Sequence, residues 1–323
     1  MRRQCGHVLA VLLCSLVMCG MLPQPSLALV ITSPSSSYSI APSDDPGWGN
    51  VGRMSNGTGI YLGDGWVLSP YHVYRHEAEH SSIQLDEWYD EIPGTSRRIR
   101  FGGPGDYADL VMFRINGDPD LDLVTIRQAA LTGSKSATII STGRIKDGTE
   151  QEWEIGGETY SGFATSETRA SRWGKNWLHD YNGSVDSGGI YGRTDALWSR
   201  FDPGPGSEAQ AVGRDSGGGA FIKVGGTWEL VGMILLVGPN YPYDPYSEPP
   251  PVVTPATHAI YRSDMYLADL PTYYSQILGN RLRPLPGDAD WNGRVDIVDF
   301  AMFRGSFGQT GSGIRTDFNY DEV

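Results

Sequence analysis

The stretch Thr58-Gly59-Ile60-Tyr61-Leu62-Gly63-Asp64-Gly65-Trp66-Val67-Leu68-Ser69-Pro70-Tyr71-His72-Val73 decides the fold class. Two short runs rich in β-branched and aromatic residues flank a Gly-Asp-Gly turn, the pattern of a β-hairpin. Outward from it the same grammar repeats: Arg98–Phe101, Leu110–Ile115, Ala137–Ser141, Gln151–Ile155, Ala220–Val224 and Glu229–Val237 are short β-type runs separated by turn residues. Many short strands over some 200 residues point to an all-β barrel or sandwich pair. Composition agrees: the 323 residues include 42 Gly and 21 Pro, which interrupt nearly every long helix. The apolar share of 39% is enough for a sizeable core.

Three stretches carry no clear strand signal. Residues 29–50 are Ser/Pro-rich and read as an extended N-terminal arm. The Gly/Trp/Asp-rich stretch 160–210 has no visible period and reads as long loops, and Gly238–Thr254 holds six prolines. Ser263–Leu278 reads as a helix with Met265, Leu267, Leu270, Tyr274 and Ile277 on one side and a kink at Pro271.

The net charge of −13, with no block of Lys or Arg, argues against nucleic acid as a partner. All three cysteines, Cys5, Cys14 and Cys19, lie in a leader-like start. There Arg2-Arg3 precede an apolar run from about Val8 to Leu22 and a small-x-small exit at Ser26-Leu27-Ala28, the layout of a secretory signal peptide over residues 1–28. Cleavage after Ala28 would leave a mature chain of charge −15, without cysteine and without a membrane span, secreted or held at the cell surface.

Three segments bring together the side chains that nucleophilic acyl transfer needs. A histidine ends a strand at His72, an aspartate opens one at Asp109 (Ala108-Asp109-Leu110-Val111-Met112-Phe113), and a serine sits in Gly213-Arg214-Asp215-Ser216-Gly217-Gly218-Gly219. In the order His…Asp…Ser they resemble the trypsin-like, chymotrypsin-fold serine peptidases over roughly residues 51–280. Trp228–Ile234 and Thr257–Tyr261 also look like that family's later strands. The resemblance implies two six-stranded antiparallel β-barrels with a C-terminal helix, the active site between them, and a protein or peptide substrate. It implies that Ser216 is the nucleophile, His72 the base and Asp109 its orienter, with the backbone N–H groups of Arg214 and Ser216 as oxyanion donors. A catalytically inactive homologue acting as an extracellular binding or adhesion module is the alternative.

Departures from the family sharpen these expectations. Arg214 stands where the family almost always has glycine, so the oxyanion turn is expected to be strained or reshaped. The pocket-floor position falls at Gln210 and the wall at Leu235-Leu236-Val237, implying a small or medium uncharged residue before the scissile bond. Asp215 matches the family's buried acid, with its partner here open. His72, His76 and His80 recur every four residues, which on a helix could hold Zn²⁺; a short solvated helix after the base is the reading preferred.

After a linker at residues 281–287, residues 288–299 place Asp288, Asp290, Asn292, Asp296 and Asp299 at positions 1, 3, 5, 9 and 12 of an EF-hand-type loop. Gly293 falls at position 6 and Arg294 offers its carbonyl at 7. A structural calcium ion is expected there, with Phe300, Phe303 and Phe307 on the helix that follows. Asp at position 12 makes residues 288–323 resemble a type I dockerin. The second loop start, Asp317–Asp321, runs into Glu322 and the end of the chain, so a cohesin-like partner is expected only if the tail is complete.

Overall fold

The structure is a computed structural model that describes residues 29–33, 36–75, 81–204, 206–239, 253–281 and 297–306. Its strands are β1 (Val30–Ile31), β2 (Val51–Arg53), β3 (Thr58–Gly63), β4 (Trp66–Ser69), β5 (Ser82–Gln84), β6 (Trp88–Asp90), β7 (Arg97–Arg100), β8 (Tyr107–Arg114) and β9 (Lys135–Ser141). They continue as β10 (Arg144–Ile155), β11 (Glu158–Arg169), β12 (Arg172–Asp186), β13 (Arg193–Arg200), β14 (Ala209–Gln210), β15 (Gly219–Val224), β16 (Thr227–Gly238), β17 (His258–Ile260) and β18 (Asp264–Asp269). The helices are α1 (Tyr71–Tyr74), α2 (Leu270–Arg281) and α3 (Ile297–Ser306).

The all-β, two-unit architecture expected from the sequence is present. The first unit is an antiparallel sheet in the order β6-β5-β2-β3-β4-β8-β7, seven strands where six were expected. The second closes as a six-stranded barrel, β12-β13-β18-β16-β15-β9. The founding hairpin is β3–β4, turned by Asp64 at φ 53° and Gly65 at φ 76°. Two left-handed residues in a two-residue turn match the right-handed twist of the strands they join.

Alternate residues of these strands serve different cores. On β4, Trp66 and Leu68 join a cluster that also holds Leu110, Met112, Phe221, Leu230, Met233 and, from α2, Leu270, Tyr273 and Ile277. That cluster glues the two units and α2 together. Val67 faces a second cluster inside the first unit with Met54, Tyr61, Val73 and Phe113. Leu178, Leu197, Val231 and Met265 fill the barrel.

Three local expectations are corrected. Residues 160–210 are mostly strand, because the inward positions of β12 are Arg172, Gly174, Asn176 and Leu178, and polar or small inward residues erase the period-two signal. Asn176 is satisfied in the core by donating to the carbonyls of Arg200 and Ala209. The helix expected over 263–278 is instead a barrel strand, β18, followed by α2 from Leu270. Pro271 falls in the first turn of α2, where its missing N–H costs nothing, so it opens the helix and does not kink it. The N-terminal arm is tied down: Leu29, Val30 and Ile31 are fully buried and β1 pairs with β14. Residues 240–252, the proline-rich loop, and 282–296 lie outside the described residues, as do Phe307 and the second loop start.

Candidate active site

His72 sits in the single turn α1, delivered by β4 through Ser69-Pro70. Asp109 is on β8, the neighbour of β4 in the sheet, and is wholly buried. Its carboxylate takes two hydrogen bonds from the one histidine: the His72 backbone N–H donates to Oδ1 at 2.8 Å and the ring Nδ1–H to Oδ2 at 2.6 Å. The two hydrogen bonds fix both the ring's orientation and its tautomer, leaving Nε2 as the ring nitrogen without a proton. Asp109 is itself held from behind, its backbone N–H donating to Thr194 Oγ1 at 2.9 Å.

Ser216 lies in the turn before β15. The structure brings it beside the histidine segment: the Thr58 N–H donates to the Ser216 carbonyl at 2.8 Å. A Cβ on Gly57 would stand 2.7 Å from Val73 and 2.8 Å from the Ser216 carbonyl. Gly217 has φ 96°, and a methyl there would be driven onto the Thr58 carbonyl oxygen, so only glycine fits. The Ser216 hydroxyl donates to the Leu235 carbonyl at 3.2 Å. Among the described residues it makes no bond to His72.

Arg214 adopts φ 75°, the left-handed conformation that favours glycine. The peptide is held there: Arg144 N–H donates to the Gly213 carbonyl at 3.3 Å, and Asp215 N–H to the Val212 carbonyl at 3.1 Å. Gly217 N–H is likewise taken by Ile234 and Gly218 N–H by Asp215. Among the described residues, the N–H groups of Arg214 and Ser216 have no acceptor, so this turn leaves unbonded the two donors an oxyanion requires.

Asp215, fully buried, receives Val212 N–H at 2.9 Å and Gly143 N–H at 3.1 Å on its carboxylate. Burial pushes its pKa up to about 7, against the opposing pull of those bonds. Behind it lies Arg172, with no exposed surface; burial pulls its pKa down to about 10 while the nearby Asp215 opposes the fall. Arg172 Nη1 donates to the Leu29 carbonyl.

The expected pocket residues divide. Gln210 has no exposed surface and, among the described residues, neither amide atom has a hydrogen-bond partner; Leu235 is also buried, while Leu236 and Val237 are half-buried. Next to His72 the structure adds residues the sequence did not single out. Tyr191 meets His72 edge-on at 6.0 Å between ring centroids, and Arg98, stacked 3.8 Å from the Tyr71 ring centroid, donates to the carbonyls of Ile190 and Tyr191. Only their pairing across 92 and 93 residues identifies them, which no local pattern encodes.

His76 and His80 lie outside the described residues, as do Asp288, Asp290, Asn292, Arg294 and Asp296. Asp299 is in the first turn of α3 and buried; Phe300 is exposed. Among the described residues no three His, Cys, Asp or Glu side chains gather at one point, and no helix is long and apolar enough to cross a membrane.

No family model matches the chain, and no curated protein does. Among solved structures it is similar to neuropsin, a serine protease expressed in the limbic system of mouse brain. The identity is 13%, over 75% of this chain and 97% of that one, with a TM-score of 0.46. So distant a likeness carries no weight for the site, which rests on this chain's own geometry.

Proposed function

We propose that this chain is a secreted serine endopeptidase working through Ser216, His72 and Asp109. The observation that carries the reading is the buried Asp109 carboxylate accepting from both N–H groups of His72, which fixes the ring and leaves Nε2 to act as the base. For attack, the Ser216 hydroxyl leaves the Leu235 carbonyl and turns to His72. Its oxygen then bonds to the substrate carbonyl carbon as the proton passes to Nε2. The oxyanion is received by the N–H groups of Arg214 and Ser216. The imidazolium next returns its proton to the leaving amine as the C–N bond breaks, and water repeats the sequence on the acyl-enzyme.

The residue before the scissile bond is read as small or medium and uncharged, since Gln210 brings no carboxylate and Leu236 and Val237 narrow the wall. A cleavage profile dominated by Arg or Lys there would contradict this. A signal peptide over residues 1–28 takes the chain out of the cell in this reading. The tail's donors, Asp288, Asp290, Asn292, Asp296 and Asp299 with the Arg294 carbonyl, are the hard oxygens that suit calcium, which would staple the loop to α3; a dockerin-type role toward a cohesin-like partner depends on a complete second repeat. Calcium should then raise the melting temperature, and Asp288→Ala should remove the rise.

The test of activity is labelling of the secreted protein by a fluorophosphonate probe, lost in Ser216→Ala. A folded protein unlabelled between pH 6 and 9 would favour the second reading, a binding module without catalysis. That reading draws on the left-handed Arg214 and on the Ser216 hydroxyl facing Leu235.

A further inference from the structure

Arg169, at the end of β11, makes an unusual set of contacts. Its guanidinium donates to the carbonyls of Met54 at 2.8 Å, Ser55 at 2.9 Å and Gly57, all in the first unit, and its Nε donates to the Thr142 carbonyl at 3.1 Å in the second. One half-buried side chain thus bridges the two units immediately behind the Ser216 turn. The places it holds are the ones that hold the turn. Thr58, next to Gly57, donates its N–H to the Ser216 carbonyl, and its hydroxyl contacts Thr142 Oγ1 at 2.8 Å and the Arg214 carbonyl at 3.4 Å. Across the hairpin Arg169 is the register partner of Arg144, whose N–H takes the Gly213 carbonyl. Because Gly213 C=O and Arg214 N–H belong to one rigid peptide plane, the bond from Arg144 turns the Arg214 N–H to the opposite side.

We propose that Arg169 is a positioning residue for the oxyanion turn: by clamping residues 54–57 to Thr142 and backing Thr58 and Arg144, it holds the Arg214 and Ser216 N–H groups in their receiving orientation although residue 214 is not glycine. The inference rests on the catalytic reading for its kinetic consequence, while the clamp itself is a claim about the resting protein. A guanidinium is suited to it, since a planar fork with several fixed donors can serve carbonyls from two directions, which a lysine ammonium on a flexible stem does not reproduce.

The test compares Arg169→Gln, Arg169→Lys and the milder Thr58→Val, with Thr58→Ser as the conservative control, in the full secreted protein. Saturation kinetics of fluorophosphonate labelling, expressed per folded molecule, should show the limiting rate reduced about 10-fold to 100-fold in Arg169→Gln, Arg169→Lys and Thr58→Val, approaching the loss of one oxyanion donor. The probe's half-saturation concentration and the pH midpoint of labelling should stay put, because the His72–Asp109 pair is untouched, and Thr58→Ser should restore the rate. A role in stability alone would lower the melting temperature and leave the rate per folded molecule at the wild-type value, which overturns the proposal. Hydrogen exchange separates the two claims. In Arg169→Gln the Thr58 and Arg144 amides should exchange at least 10-fold faster while barrel amides such as Leu267 do not change. If the wild type is never labelled, the catalytic reading fails, and these amides still decide the clamp: unchanged exchange refutes it.

Discussion

Asp215→Asn, measured against the wild type across pH, tests the electrostatics beneath the serine turn. The carboxyl is fully buried and its pKa is raised by that burial from 3.8 to about 7, with hydrogen bonds from Val212, Ser141 and Gly143 pulling the other way. Between these two values the folded protein keeps a proton that the unfolded chain has released. Stability therefore falls as pH rises through this window, by about 1.4 kcal/mol per unit, or roughly 4 kcal/mol in all. The contribution is fully present below pH 3.8 and gone above 7. Asparagine cannot titrate, but its NH₂ must face either the Gly143 or the Val212 N–H, a penalty that does not vary with pH.

The informative quantity is consequently the difference in unfolding free energy between the two proteins, from urea melts at half-unit steps between pH 4 and 8. Titrations elsewhere in the molecule cancel in it. Wild type should lose its advantage over Asp215→Asn steadily with rising pH, at constant m-value. A flat difference, or one that grows with pH, refutes the reasoning: it would mean that the two N–H donors and the neighbouring guanidinium groups outweigh burial and keep Asp215 ionised throughout.

Two further changes address the catalytic geometry. Asp109→Asn should leave the fold intact but reduce the limiting rate of peptide hydrolysis by on the order of 10⁴, because the amide no longer fixes the Nδ1–H tautomer; hydrolysis rates at saturating substrate check it. Arg214→Gly should change unfolding free energy by less than about 1 kcal/mol, the relief of a left-handed side chain offsetting the entropy glycine adds to the unfolded chain. A larger loss in denaturant melts would show that φ 75° is not a strain on Arg214.

Much of this was legible in the chain, for identifiable reasons. The β3–β4 hairpin announces itself because apolar residues and turn residues are adjacent in sequence, and His72, Asp109 and Ser216 are marked by the short motifs around them. What failed was the reading of β12, where buried Arg172 and Asn176 take core positions, and of β18, whose Met265 and Leu267 run on into α2 without a break in hydrophobicity. Arg169, Thr58 and Arg98 stayed silent because each acts through main-chain carbonyls far away in sequence, and any residue can supply a carbonyl.

That same habit bears on how this β protein holds its two units together without disulfides, since no cysteine occurs after Cys19. Removing a native disulfide from a small secreted domain costs about 2–5 kcal/mol. Here the ties are side-chain bonds to backbone: Arg169 to residues 54–57, Arg98 to the carbonyls of Ile190 and Tyr191, and Gln276 exchanging two bonds with Arg100. At a net ~0.5–1.5 kcal/mol each, or somewhat more for a charged donor, a few such ties equal a disulfide. Dithiothreitol should accordingly leave the melting temperature of the protein from residue 29 onward unchanged. Arg98→Met should lower its stability by about 2–3 kcal/mol by stripping partners from the Ile190 and Tyr191 carbonyls and the cation from between the Tyr71 and Tyr107 rings. A melt unmoved by Arg98→Met would reverse the argument, leaving the arginine as surface decoration.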